Sequence, residues 1–151
     1  MKLSDPDNFK EFAFNFRELQ FKFPRVYAKM LARAKLTLPQ YALLNVLSRS
    51  KMMCMTEASR ELRLTKPAIT NLVDRLEKHG FLKRVPCAED RRMHLLRISP
   101  KGEQATDRVR GQILAIMQKA FGRFKPGEQK IVSRFYAFLC ETIDSEKSAR
   151  P

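Results

Sequence analysis

The chain has few of the residues on which catalysis, metal binding and cross-linking depend. It contains two histidines, His79 and His94, and three cysteines, and it has no glycine-rich phosphate loop, paired-carboxylate motif or nucleophile elbow. Neither histidine stands at a metal-ligand spacing from Cys87, and the odd set of Cys54, Cys87 and Cys140 does not form a disulfide framework. We therefore predict no enzymatic activity, no metal ion and no other cofactor. Cys87 is the cysteine that we expect to be most exposed, although an incidental residue is the simpler interpretation.

Long apolar segments are also missing. No stretch approaches the ~20 apolar residues of a transmembrane helix. The first residues, MKLSDPDNF, lack the apolar centre of a signal peptide. We therefore expect a cytoplasmic protein without a membrane partner.

Acidic residues are few relative to basic ones. The 151 residues include 30 lysines and arginines against 16 acids, which leaves a formal net charge of +14. Thirteen bases and six acids fall within residues 49–101, so this third of the chain carries seven of the excess positive charges. A basic region of this kind is typical of proteins that contact nucleic-acid phosphates. The length fits one compact domain.

The basic region contains a capped amphipathic helix. Thr65 can cap its start, Pro67 falls in the first turn, and Gly80 can end it. The apolar residues at helical spacing predict one buried face, and the opposite face is polar and basic (Ile69, Leu72, Val73 and Leu76 against Lys66, Thr70, Asn71 and Arg75). Taken alone, the pattern also fits an ordinary amphipathic surface helix.

A shorter segment before this helix completes a helix-turn-helix. Thr56 can cap the segment TEASRELR, in which Ala58 and Leu62 would face inward, and Leu64 closes the connection. Arg63 occupies the turn position at which glycine is common, where a positive φ would cost about 1 kcal/mol. In such a unit the second helix enters the major groove of DNA.

A basic hairpin follows the second helix. The segments FLKRV and HLLRI are rich in strand-forming residues, and Pro86 is expected to end the first. The turn between them presents Arg91 and Arg92, which can reach phosphates or an AT-rich minor groove. A solvated charged turn is the alternative. Helix followed by basic hairpin is the order found in a winged helix-turn-helix.

The two ends of the chain predict dimerisation helices. A helix over about residues 7–35, which Pro24 should kink, carries apolar residues in alternating steps of three and four, and Phe14 and Phe21 lie off this stripe (Phe9, Phe12, Phe16, Leu19, Phe23, Val26 and Met30). Two C-terminal helices, the first beginning at Ser99-Pro100, offer matching faces (Ile113, Ile116, Met117 and Ala120, then Ile131, Phe135, Phe138 and Leu139). Faces this wide need a covering partner. An intramolecular bundle is the alternative to a dimer.

Residues 38–102 resemble the MarR family of bacterial transcriptional regulators. The segments that carry the resemblance are LTLPQYALLNVL, LRLTKPAITNLVDRLEKHGFLKR and EDRRMHLLRISPKG. The resemblance implies a mainly α fold with a small β-hairpin wing. It implies a winged helix-turn-helix over 37–102 and helical dimerisation regions over 1–36 and 103–145, intertwined as one domain. Residues 146–151 are expected to form a disordered tail.

The same resemblance assigns roles to single residues. It places Lys66, Thr70 and Asn71 on the base-reading helix and makes Arg92 the wing arginine, paired with Asp74. With the turn and strand arginines, the complete set expected to contact DNA is Thr65, Lys66, Thr70, Asn71, Arg84, Arg91 and Arg92. Asp74 and Asp90 are expected to support the wing.

Relatives also suggest an effector site. Many bind small aromatic acids between the dimer stem and the DNA-binding lobe, where Tyr27, Met30, Met52 and Met53 could line a crevice here. The four residues serve equally well as core. Some relatives sense peroxide through a cysteine near the first helix, but this chain has no cysteine before Cys54.

These observations predict a sequence-specific regulator of transcription. We expect a homodimer that binds a pseudo-palindromic site in double-stranded DNA, acts as a repressor, and is released by a small aromatic ligand. A non-specific architectural nucleic-acid-binding protein is the first alternative, against which Thr70 and Asn71 argue because such side chains can read bases. An enzyme or adaptor built on a winged-helix scaffold is the second.

Overall fold

The computed structural model describes residues 6–87 and 94–148, which contain six helices and three short strands. In chain order these are α1 (Pro6–Arg33), α2 (Leu38–Ser50), β1 (Met52–Cys54), α3 (Met55–Leu62), α4 (Lys66–Lys78), β2 (Leu82–Pro86), β3 (His94–Ile98), α5 (Pro100–Phe121) and α6 (Pro126–Ser148). The chain forms two compact units, residues 1–112 and 113–151. The predicted class, mainly α with a small β wing, is confirmed.

Side-chain caps set the starts of two helices in the first unit. Thr37 and Gln40 form a reciprocal capping box at α2, in which Gln40 Oε1 accepts from the Thr37 N–H at 2.8 Å. Thr65 Oγ1 accepts from the Ala68 N–H at 3.4 Å, which confirms the predicted cap of α4. Gly80 follows α4 with a φ of 72°, the left-handed conformation that glycine adopts at low cost.

The start of α3 differs from the prediction. The cap is Cys54, not Thr56, and the helix begins at Met55. Glu57 explains the shift, because its carboxylate accepts from the Cys54 N–H at 2.7 Å while its own N–H points to Cys54 Sγ at 3.4 Å. These contacts lower the pKa of Glu57. A thiol thus replaces the expected hydroxyl, and the carboxylate at the third position fixes the register.

The three strands form one antiparallel sheet in the order β1–β3–β2. The predicted hairpin is present, with Leu82 opposite Ile98 and Val85 opposite Leu95. Pro86 is the last residue of β2, as expected. Strand β1 was not predicted; it pairs Met53 with Leu96 on the other edge of β3.

The core lies between the helix-turn-helix, the sheet and the first turns of α5. Its fully buried side chains come from these elements and α2 (Leu43, Leu44 and Leu47; Ile69, Val73 and Leu76; Leu82 and Leu96; Thr106 and Val109). They include three residues of the predicted inner face of α4, whereas the fourth, Leu72, is partly buried against the core. Arg110 joins α5 to α2, because its Nη2 donates to Asn45 Oδ1 at 3.3 Å and to Ser48 Oγ at 3.1 Å. The first unit therefore has one continuous hydrophobic core.

One junction connects α4, the hairpin and α5. Ser99 Oγ donates to the Gly80 carbonyl at 2.6 Å and accepts from the Gly102 N–H at 3.1 Å. A Cβ at Gly102 would overlap the Phe81 carbonyl oxygen and stand 2.8 Å from Ile98 Cγ1. Only glycine lets α5 approach the strand ends this closely.

We therefore expect Gly102→Ala to destabilise the fold by about 1–3 kcal/mol, the usual cost of overpacking. The matched control is Gly111→Ala on the same helix, where an added Cβ meets no atom within 4 Å. That variant should be neutral or more stable by about 0.5–1 kcal/mol through helix propensity. Urea unfolding at equilibrium measures both changes, and equal midpoints for the two variants would contradict the proposed overlap.

The terminal helices differ from the predictions at two points. Helix α1 includes Pro24, as predicted, but it ends at Arg33, two residues before the predicted end. Lys35 explains the early end, because it adopts a positive φ of 57°. Helix α6 continues to Ser148, so residues 146–148 are helical and not part of a disordered tail. No proline or glycine interrupts the chain there, which allows the helix to extend. Among the described residues, no helix has the length and apolarity needed to cross a membrane.

The cysteines also require a correction. Cys140 on α6 is exposed, whereas Cys54 and Cys87 are partly buried. Cys87 follows β2 directly and is less exposed than Cys140, so it is not the most exposed thiol. Cys140 lies on a helix with many uncovered side chains in the second unit.

Candidate nucleic-acid interface

Helix α4 presents a polar face opposite its buried one. Lys66, Asn71 and Arg75 are exposed and have no side-chain partner among the described residues, so their donors are available to a ligand. Thr70 is also exposed, and its hydroxyl donates to the Lys66 carbonyl at 2.9 Å, which leaves its oxygen free to accept. Thr65 uses its oxygen for the cap and keeps its O–H as a donor. The predicted reading residues therefore share one face.

The turn before α4 adds two bases that the sequence analysis did not select. Arg63 takes the left-handed conformation, with φ 51° and ψ 42°, as its position predicted. Ser59 stabilises this turn, since its hydroxyl donates to the Leu64 carbonyl at 2.5 Å. Arg60 and Arg63 are exposed beside Lys66. Their positions at the end of α3, just before α4, could have indicated from the sequence that they lie beside Lys66.

Arg84 connects the wing to the reading helix. Its Nη2 donates to Asp74 Oδ1 at 2.6 Å, its Nη1 contacts Glu77 Oε2, and its backbone N–H donates to Glu77 Oε1 at 2.9 Å. Burial lowers the pKa of Arg84, but the hydrogen bonds and charges of Asp74 and Glu77 outweigh it and raise the pKa overall. We call these three residues the Arg84 clamp.

The clamp changes the interpretation of Arg84. This arginine was predicted to contact the DNA backbone, but its guanidinium is engaged by two carboxylates and its side chain is 27% exposed. Arg84 faces α4, whereas its neighbour Lys83 faces solvent. Because a charged residue is usually expected on the solvent side of a strand, the sequence did not indicate this role. The three clamp residues together carry one negative charge at pH 7, whereas Asp74 and Glu77 alone would carry two.

The wing tip lies outside the described residues, and with it Asp90, Arg91 and Arg92. The predicted pair of Asp74 with Arg92 falls there too. Within the described part of the hairpin, Lys83 and Arg97 stand directly opposite each other and are both exposed. Like charges placed opposite in a ladder disfavour the sheet unless an anion lies nearby.

The four residues suggested for an effector crevice occupy different environments. Tyr27 and Met30 pack against the core, and the Tyr27 ring stands edge-on to Tyr41 with 5.7 Å between centroids. Burial, with help from Tyr41, raises the pKa of the Tyr27 hydroxyl. Met53 is a core residue, and Met52 is exposed on β1. A cavity in this unit is lined by none of the four.

A helix-turn-helix packed on a three-stranded sheet, with a basic hairpin beside the second helix, defines a winged helix-turn-helix protein. The MarR family, by its sequence profile, matches residues 34–93. The regulator BilQ of Clostridioides difficile, an HTH-type transcriptional regulator, is 30% identical over 101 residues, which cover 67% of this chain and 66% of BilQ.

Solved structures show the same fold. The YusO protein of Bacillus subtilis superposes with a TM-score of 0.80 at 19% identity, over 92% of this chain and 99% of that one. A single-residue mutant of the MepR protein of S. aureus, bound to an oligodeoxyribonucleotide, superposes with a TM-score of 0.69 at 18% identity, over 89% and 96% of the chains. The chain belongs to the MarR family. It spans 39% to 66% of the length of the curated relatives that it matches.

Proposed function

We propose that the protein is a sequence-specific, double-stranded-DNA-binding regulator of transcription. The observation that carries the proposal is the exposed face of α4, where Lys66, Thr70 and Asn71 project from a helix whose opposite face packs into the core. A rigidly packed helix with free amide and ammonium donors suits the major groove, whose base edges present acceptors in a sequence-dependent pattern. The family relatives named as transcriptional regulators, and the oligonucleotide-bound MepR mutant, support this proposal.

In this proposal the charged residues around α4 and the wing have two roles: the arginines contact DNA, and the acids support the wing. Arg60 and Arg63 contact phosphates beside the groove, because both are exposed near the start of α4 and neither forms a salt bridge or side-chain hydrogen bond among the described residues. Arg91 and Arg92 of the wing tip complete the contacts, and Asp74 and Asp90 support the wing. Residues 37–102 form the DNA-binding region.

Residues 1–36 and 103–145 form the dimerisation region in this proposal. Helix α1 exposes Phe9, Phe14 and Phe21 by 59–66%. Helix α6, in the second unit, exposes Ile131 and Phe138 by 66% and 55%. Leaving such large apolar side chains in water is unfavourable by roughly 1.5–3 kcal/mol each, so a second copy of the chain is the natural cover.

We expect the protein to remain dimeric at micromolar concentration, because each copy would otherwise expose the phenylalanine face of α1. Sedimentation equilibrium over about two orders of magnitude in concentration measures this. A stable, folded monomer of 17.6 kDa would contradict the dimer and, with it, the use of two half-sites.

Repression is the mode of action that we propose, since a dimer seated on a promoter excludes other proteins from it. Release by a small aromatic acid rests on the family resemblance, with Tyr27, Met30, Met52 and Met53 as candidate contacts. The location proposed is the cytoplasm, where a regulator of this family meets DNA. A non-specific architectural role is the second candidate, which the exposed cations Lys83 and Arg97 favour because phosphate contact needs no base reading.

Selection of bound fragments from random duplex DNA decides between the two candidates. A regulator should enrich a pseudo-palindrome whose half-site centres lie about 10–10.5 base pairs apart, or a multiple of that distance. An architectural protein should enrich no consensus. Enrichment of a single, non-repeated site would retain base reading and remove the symmetric dimer.

Asn71 should supply one of the base contacts. Its side chain can pair bidentately with adenine, a contact that discriminates by about 1–3 kcal/mol. We expect Asn71→Ala to relax the preference at one position in each half-site, and Arg63→Ala to weaken all duplexes alike. Competition binding with cognate and random duplexes compares the two variants. Equal losses on both duplexes for Asn71→Ala would place base reading elsewhere.

A further inference from the structure

The first unit contains a cavity of about 380 Å³ at the far end of the reading helix. It lies between the end of α1, the turn after α4 and the start of α5. Its lining residues come from all three segments (Arg33, Ala34 and Lys35; His79 and Phe81; Lys101, Gln104, Ala105 and Arg108). The volume suits a small metabolite.

The lining is strongly basic. Of the nine lining residues, four are lysine or arginine and one is a histidine, His79. None of the nine is acidic. Within residues 6–87 and 94–148, the side chains of Arg33, Lys35 and Arg108 make no ion pair or hydrogen bond. Elsewhere in the same unit Arg110 is paired with Asp107 and Arg84 with Asp74. Cations gathered without counter-charges repel one another and favour an anionic occupant.

Two of the lining residues, Phe81 and Lys101, are fixed by contacts. Phe81 is buried and forms part of the wall. Lys101 Nζ lies 4.9 Å from the Phe81 ring centroid and donates to the His79 carbonyl at 2.7 Å. The small side chains of Ala34 and Ala105 leave the space open. The cavity therefore has one wall formed by a buried ring, and the other cations line the rest of it.

DNA is an unsuitable occupant for this cavity. Thirteen residues separate Lys66 from His79, which corresponds to about 20 Å along a helix. The N-terminal residues of a recognition helix contact bases, so the cavity lies at the opposite end from the reading residues. Its location also differs from the crevice suggested by Tyr27 and Met52.

We propose that this cavity binds a small multivalent oxyanion, a phosphorylated or polycarboxylate metabolite with two or more negative charges. Arg33 and Arg108 supply planar, fork-shaped donors that match phosphate and carboxylate oxygens. Lys35 adds a third charge, and the Gln104 amide can add a neutral donor. The site does not depend on the DNA-binding function proposed above.

The test titrates the full-length protein, without DNA, by calorimetry in a buffer free of phosphate and carboxylate. Inorganic pyrophosphate and citrate are the two probes, and sodium chloride at matched ionic strength is the control. We expect saturable binding of one anion per chain, with the tighter probe identifying the headgroup chemistry. Arg108→Ala and Arg33→Ala should each weaken this binding by about tenfold or more. The matched control Arg123→Ala, which removes an exposed arginine from the second unit, should leave it unchanged.

Three results would overturn the proposal. The first is the absence of saturation with either probe, and the second is equal weakening by Arg123→Ala and Arg108→Ala, which would indicate general charge attraction. The third is displacement of the probe by a DNA duplex, which would make the cavity a phosphate contact for DNA. Circular dichroism and thermal unfolding check that each variant folds. If Arg108→Ala does not fold, Lys35→Ala, at an exposed position on the α1–α2 turn, provides the same comparison.

Discussion

Raising the salt concentration from 50 to 200 mM should weaken DNA binding by roughly 10³ to 10⁵. Arg60, Arg63, Lys66 and Arg75 are exposed on or beside α4, and a dimer would present each of them twice. If about 6–10 phosphates are neutralised, the released counterions make binding this sensitive to salt. Fluorescence anisotropy with a labelled duplex, repeated across a series of salt concentrations, measures the slope.

Single variants divide this slope among residues. Arg63→Ala should flatten it by up to about two units, one for each subunit. Arg123→Ala, which removes an exposed arginine from the second unit, should leave the slope unchanged. Binding that varies little with salt would contradict the phosphate contacts and would leave the basic charge of the first unit without the role proposed for it.

Removal of Arg84 should reduce DNA affinity by about 10- to 100-fold, and the cause can be separated from a lost phosphate contact. Without the arginine, Asp74 and Glu77 remain as two negative charges on the reading helix, and both oppose DNA. Neutralising them together, in the triple variant Arg84→Ala, Asp74→Asn and Glu77→Gln, should therefore recover much of the affinity. Binding of the same labelled duplex compares the variants.

The alternative makes the opposite prediction for the triple variant. If Arg84 contacts phosphate, as the sequence suggested, neutralising the acids cannot restore that contact, and the triple variant should bind no better than Arg84→Ala. Asp74→Asn alone tests the clamp further. Loss of affinity would mean that the carboxylate positions the wing, whereas tighter binding would mean that its charge merely repels DNA. Thermal unfolding of each variant separates both effects from loss of fold.

Much of the helix-turn-helix and hairpin could be predicted from residues that are close together in the sequence. The cap at Thr65, the apolar spacing of Ile69, Val73 and Leu76 and the stop at Gly80 are all encoded within one helix. The helix–hairpin order then followed from segments adjacent in the chain. Position 63 could be assigned a positive φ because the turn between two helices requires it, whatever residue is present.

Features that depend on distant contacts were not predictable. Strand β1 has only three residues, and it is a strand because β3 offers a free edge for it. The Arg84 clamp could not be predicted, because it forms only where α4 and β2 lie side by side. An arginine in a basic segment was therefore interpreted as a DNA contact. The charged cavity gathers residues from three separate segments, none of which forms a motif alone.

The Ser99 junction restricts how such a protein can change in length. Because the Ser99 hydroxyl holds Gly80 at one end of the hairpin and Gly102 at the start of α5, both hairpin ends are anchored to one point. Because both ends are fixed, a single residue inserted within a strand would turn the side chains between the insertion and the tip to the opposite face. In β3, an insertion between Leu96 and Ser99 would expose Leu96. Insertions and exchanged sequences are therefore tolerated only at the tip between the strands. A grafted tip of different length or charge would alter what the hairpin touches while the helix beside it stays in place.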